Sequence, residues 1–154
     1  MGVLARVGGN AVARGGARDL VTPEPAGSSD WGPLMTRPLI VKVTCGAEAP
    51  ERANQAWTVA SMGLAAGADV TVWLTGEGVW FAVPGRQPDL ELPYATPVSE
   101  LVEAVRSAGQ IRVCSQCAAR RELRETDLLS GVSIAGAASF VEAALADGVQ
   151  ALVY

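Results

Sequence analysis

Cys114-Ser115-Gln116-Cys117 places two thiols three residues apart, directly after the run Ile111-Arg112-Val113 and directly before the helix-forming run Ala118-Ala119-Arg120-Arg121-Glu122-Leu123. A cysteine at such a strand-to-helix junction sits beside free backbone N–H groups and the positive end of a helix dipole, and both favour an anion. The thiolate, not the thiol, is the nucleophile, so Cys114 is the candidate catalytic residue. The chain contains no histidine, which leaves activation to backbone dipoles and arginine. Cys117 is its candidate partner, because two thiols in a C-x-x-C at a helix start can form a disulfide. It either resolves a persulfide or sulfenic acid on Cys114, or packs under the helix as a small apolar side chain. Arg120 and Arg121 are the candidate cations on the substrate side. Six residues of helix rise about 9 Å, so Arg120 reaches the thiolate by folding back or across a subunit interface. Otherwise the pair lines a solvated face with Glu122 or Glu125. Cys45 ends an earlier apolar run before Gly46 and could line the same rim, although a structural role is the first reading of it.

These residues need a framework, and composition bounds it. A chain of 154 residues holds one full domain. Its 49% apolar and 18% charged residues fit a folded protein. Twelve basic against sixteen acidic residues give a net charge of −4, and Lys42 is the only lysine. That is no footprint for nucleic acid. No apolar run reaches the ~18 residues of a membrane span. Three cysteines at uneven spacing argue against a secreted disulfide scaffold and for a reducing, cytoplasmic setting. Without histidine they fall short of a four-ligand zinc site unless carboxylates or a second subunit complete it. No metal and no cofactor are expected.

Residues 1–34 carry Gly8-Gly9, Gly15-Gly16, Pro23, Pro25 and Gly27-Ser28-Ser29 without any sustained period. They are expected to form a flexible extension, consistent with a start assigned upstream of Met35, and they lack the apolar core of a secretory signal. The domain is expected over 35–154. Leu39 to Cys45 reads as a strand, Pro50 to Gly67 as a helix with a first-position proline, and Asp69 to Thr75 as a second strand. Val79–Val83 is apolar but of undetermined type, and the proline-bearing residues 84–95 are expected as a loop over the sheet edge. Thr96 with Pro97 predicts an N-cap for a helix carrying Val98, Leu101, Val102 and Val105 and stopped by Gly109. Ile111–Cys114 predicts a third strand, 116–124 a short helix, Val132–Ile134 a fourth strand, Phe140 to Gly148 a last helix, and Ala151–Tyr154 a fifth strand. Such alternation predicts an α/β fold with a mainly parallel five-stranded sheet and helices on both faces. Trp57, Trp73 and Trp80 are expected in the core or at a subunit interface. Gly76-Glu77-Gly78 lacks the lysine and helix context of a phosphate loop.

Four stretches together resemble the DsrE/DsrF-like family, the sulfur-carrier group that includes the Tus sulfur-relay subunits. They are Pro50-Glu51-Arg52-Ala53, Val70 through Val79 (VTVWLTGEGV), Val113-Cys114 six residues ahead of Arg120-Arg121, and Gly131 through Gly136 (GVSIAG). The likeness runs over roughly residues 38–154. It implies a three-layer α/β/α Rossmann-like domain that assembles as homo- or hetero-oligomers, commonly trimers or hexamers. It also implies a persulfide carried on the cysteine matched by Cys114. The chain departs from the pattern at Cys117, where a small residue is common, and at Glu122, where glycine is common. The function expected is a sulfur carrier or sulfurtransferase working between donor and acceptor proteins. The alternatives are a thiol–disulfide redox protein using Cys114 and Cys117, and a non-catalytic oligomeric module.

Overall fold

A computed structural model describes residues 37–154; the expected N-terminal extension, residues 1–34, lies outside the described residues. The chain alternates β1 (Pro38–Val43), α1 (Pro50–Ala65), β2 (Asp69–Leu74), α2 (Val98–Ala108), β3 (Gln110–Cys114), α3 (Ser115–Ala119), β4 (Ser133–Ala135), α4 (Ala137–Ala144) and β5 (Gln150–Val153). The strands form one sheet in the order β4-β3-β2-β1-β5, with every pairing parallel. The expected α/β fold with a parallel five-stranded sheet is what the chain adopts.

Register fixes which side chains share a face. Val43 lies beside Leu74 and Leu74 beside Val113, so Leu39, Val41, Val43, Val70, Val72, Leu74, Ile111 and Val113 point one way. Against them lies α1, whose Ala53, Ala56, Trp57 and Ala60 recur at helical spacing and are all buried. Small residues let the helix approach closely: a side-chain carbon added at Gly63 would lie 2.8 Å from Leu39. Packed beside α1 is α2, which buries Val98, Leu101, Val102 and Val105. The opposite face carries Lys42, Trp73, Arg112 and Cys114. It is covered more thinly, by α4, whose Phe140 ring lies 5.3 Å from that of Trp73. No residue of α4 is buried.

Several boundaries differ from the sequence expectation, each for a physical reason. The first strand ends at Val43 rather than Cys45; Thr44 still donates its amide and its hydroxyl to the Tyr154 carbonyl, and Gly46 then turns its N–H to the Glu48 carboxylate. The undetermined apolar run belongs to a 3₁₀ helix, Gly76–Ala82, which drives Val79, Phe81 and Ala82 into the core. The 84–95 loop packs against α1 rather than over the sheet edge, where Leu92 and Thr96 share a groove with Asn54 and Gln55. Thr96 is not an N-cap. That position falls to Pro97, and Thr96 instead offers its carbonyl to Asn54.

The helix expected over 116–124 ends early, at Ala119. Leu123 donates its N–H to the Ala118 carbonyl and Glu122 to that of Ala119, while Glu122 takes φ +54°. This is the Schellman pattern, in which the left-handed residue is usually glycine. Here a glutamate occupies it.

Two left-handed turns therefore predict opposite outcomes. Gly76 has φ +54°, and a side-chain carbon there would overlap the carbonyl oxygen of Thr44. Gly76→Ala is expected to cost at least about 2 kcal/mol, combining the left-handed penalty with a backbone clash. Glu122→Gly is expected to gain about 0.5–1 kcal/mol, because relief of the same penalty exceeds the entropy cost of glycine. Thermal denaturation of the two variants checks both signs.

Candidate functional site

Cys114 closes β3 and stands at the N-cap of α3, half-buried at the carboxyl rim of the sheet on the Lys42–Trp73 face. Ligand sites of open α/β sheets gather outside such carboxyl ends. Burial pushes its thiol up, but this is outweighed by the Cys117 amide, the Cys117 thiol, the Gln116 amide and the charge of Lys42. The net result holds Cys114 below its ordinary value of 9.0. No strict side-chain cap hydrogen bond closes the helix start. The two amides act on the sulfur as nearby dipoles, and a helix of five residues adds little macrodipole of its own.

Cys117 lies in the first turn of α3 and is only 7% exposed. Its sulfur accepts the N–H of Gly76 at 3.3 Å, across from the end of β2. Arg121 donates to the Cys117 carbonyl at 3.2 Å and to Glu77 at 2.6 Å. Glu77 in turn accepts the indole N–H of Trp80 at 2.9 Å. Hydrogen bonds from Arg121 and then Trp80 hold the Glu77 carboxyl below the usual carboxylate range. The Trp80 ring carries the Arg86 guanidinium at 3.6 Å. Gly76, Glu77, Trp80, Arg121 and Cys117 thus form one braced corner beside Cys114.

The sequence-predicted residues distribute unevenly over this geometry. Cys114 and Cys117 come together. Arg121 reaches the corner, but its charge is matched by Glu77, and its bonds hold backbone in place. Arg120 is exposed, and its guanidinium makes no hydrogen bond or ion pair among the described residues. Cys45 is buried in the core on the α1 side, next to Arg52 and Glu48, rather than beside Cys114. Burial, partly offset by Arg52, raises its thiol. The cation that sequence reasoning missed is Lys42. It is the next-to-last residue of β1, with its ammonium 4.8 Å over the Phe140 ring, and it forms no salt bridge among the described residues. A lone lysine inside the apolar run Leu39-Ile40-Val41-Lys42-Val43 was the signal available. Among the described residues no group of three or more histidine, cysteine, aspartate or glutamate side chains could hold a metal ion.

Comparison with known proteins agrees with the fold. The DsrE/DsrF-like family model matches residues 39–153. The chain is 32% identical over 91 residues to the uncharacterized protein MK0008 of Methanopyrus kandleri, a match spanning 57% of this chain and 73% of that protein. Among solved structures it is similar to the ychN protein of E. coli, with a TM-score of 0.63 at 14% identity, covering 77% of this chain and 99% of the other. It is also similar to MTH1491 of Methanobacterium thermoautotrophicum, a protein of unknown function, with a TM-score of 0.58 at 15% identity and the same coverage. At these identities the structural likeness concerns the fold.

The placement of Lys42 predicts the behaviour of the thiol. A lowered folded value means that the thiolate's stabilising contribution is complete above the unfolded value and is lost as pH falls through the folded one. Lys42→Met removes the one positive charge that acts on the sulfur, so the Cys114 titration is expected to move up and alkylation at neutral pH to slow. The pH profile of iodoacetamide labelling at Cys114, read by peptide mass, checks this; an unchanged midpoint would show that Lys42 does not act on the sulfur.

Proposed function

The chain belongs to the DsrE/DsrF-like family, and from that premise we propose that it is a sulfur carrier holding sulfur as a persulfide on Cys114. The observation that carries this reading is a half-exposed thiol at the carboxyl rim whose amide, thiol and lysine neighbours all favour its anion. The Cys114 thiolate attacks the terminal sulfur of a donor persulfide. A Cys114 S–S bond forms, the donor S–S bond breaks, and the donor leaves as a thiolate. An acceptor thiolate then attacks the terminal sulfur on Cys114, which departs as thiolate again. The transferred sulfur keeps its oxidation state throughout, so no external oxidant is needed. Nor is a proton relay, and a chain without histidine suits such an exchange better than it suits hydrolysis.

Carriage also asks for partners, here a donor and an acceptor protein, in a reducing cytoplasm where the three thiols stay free. Self-association into a trimer or hexamer is supported by the thin layer of α4. Val141, Leu145 and Val153 remain 50%, 78% and 65% exposed on the α4–β5 side, more bare apolar surface than scattered single side chains present. Among the described residues no helix is long and apolar enough to cross a membrane.

Incubation with a low-molecular-weight persulfide followed by intact mass measurement is expected to show one added sulfur per chain, abolished in Cys114→Ala. Loading of that variant would remove Cys114 from the carrier role. Absence of loading in the unmodified chain would leave the thiol–disulfide redox protein and the non-catalytic oligomeric module as the readings.

A further inference from the structure

We propose that Cys117 is an internal resolving thiol that discharges the Cys114 persulfide as hydrosulfide and leaves a Cys114–Cys117 disulfide. The inference rests on the sulfur-carrier reading and adds a second fate for the carried sulfur. Three observations support it. Cys117 is the third helical residue after Cys114, the N-cap, which puts the two cysteines one helical turn apart at the same helix start. Cys117 is 7% exposed, so a partner macromolecule has little access to it, while its thiol is a hydrogen-bonding neighbour of the Cys114 sulfur. Cys117 is also held in place from both ends, its sulfur by the Gly76 N–H at 3.3 Å and its carbonyl by Arg121 at 3.2 Å.

A buried thiol placed in this way has one electrophile within reach, the inner sulfur of a Cys114 persulfide. Cys117 attacks that sulfur. The Cys114–Cys117 bond forms, and the bond from Cys114 to the terminal sulfur breaks. The thiol proton of Cys117 leaves with the terminal sulfur as HS⁻. The two cysteine sulfurs are oxidised to the disulfide, and the carried sulfur is reduced to sulfide. The persulfide is therefore its own oxidant, and an external dithiol restores the carrier by exchange. The N–H of Gly76 faces the attacking sulfur as its charge develops. Sulfur thus leaves by two routes: to an acceptor thiol that attacks the outer sulfur, or as free sulfide when none arrives.

The test loads the full chain anaerobically with a low-molecular-weight persulfide, removes the donor, and follows sulfide release, intact mass and disulfide mapping together. The expected result is one sulfide per loaded chain with an intrachain Cys114–Cys117 disulfide. Per loaded chain, release is expected to slow by at least about tenfold in Cys117→Ser and Cys117→Ala, equivalent to ~1.4 kcal/mol in the barrier. Two replacements of different polarity, both checked for folding by circular dichroism, separate lost chemistry from lost packing. Persulfide that persists on the unmodified chain, or equal release rates in all three proteins, overturns the inference and leaves sulfur carriage standing. Sulfide released with an interchain Cys114–Cys114 bond overturns it as well. A chain that takes up no sulfur overturns both readings.

Discussion

The rim of the sheet depends on the backbone at Gly76. Three neighbouring parallel strands end almost level, with Val43 beside Leu74 and Leu74 beside Val113, so the segments leaving them must pass within a backbone's thickness. Gly76 permits this by turning left-handed against the Thr44 carbonyl, where no side-chain carbon fits. A side-chain carbon at Gly78 would likewise lie 2.8 and 3.2 Å from the carbonyl oxygens of Val43 and Cys45, so this position too has no room for one. The turn directs the Gly76 N–H at the Cys117 sulfur. It also starts the 3₁₀ helix that buries Val79 and Phe81, and it delivers Glu77 to Arg121. The thiol corner is thus a product of how parallel strands must end, with glycine as the residue that lets them.

How a thiolate is favoured without imidazole follows from where charge is matched and where it is not. Arg121 stands close to the thiols but shares a 2.6 Å ion pair with Glu77, and a matched pair exerts little net pull on a neighbouring anion. Lys42 has no carboxylate partner among the described residues and rests on the face of Phe140, an attraction that holds an ammonium without cancelling its charge. A single unmatched cation on the same sheet face therefore adds to the larger effects of the Cys117 amide and thiol and the Gln116 amide on Cys114, while the Arg121 guanidinium does not.

Most of the framework was legible from hydrophobic period and punctuation. Every expected strand formed near its predicted place, and the helices opened by Pro50 and stopped at Gly109 formed where those residues pointed. Cys114 was legible as a strand end because Ile111 and Val113 alternate into the core ahead of it. Three features were not. The Val79–Val83 run belongs to a 3₁₀ helix, whose tight winding answers to the neighbouring strand ends rather than to its own residues. The early stop of α3 is set by a glutamate in a left-handed turn that sequence normally marks with glycine. The role of Lys42 needs strand order, because only the pairing of β1 with β2 and β2 with β3 brings β1 side chains onto the face of Cys114. Local pattern reports periods and breaks; adjacency of non-neighbouring strands lies beyond it.

The two thiols differ in what can reach them, and this matters more than their spacing. A C-x-x-C whose cysteines were equally open would let donors and acceptors attack either sulfur, mixing transfer with disulfide exchange. Here only Cys114 faces solvent, while Cys117 is covered and held by the Gly76 N–H and Arg121. In the proposed cycle, intermolecular chemistry would be confined to one sulfur and intramolecular chemistry to the other. The same burial explains why Cys117 belongs to the hydrophobic core cluster. A small, weakly polar sulfur can pack as a core side chain and remain a nucleophile, so the packing role and the chemical role of Cys117 are compatible.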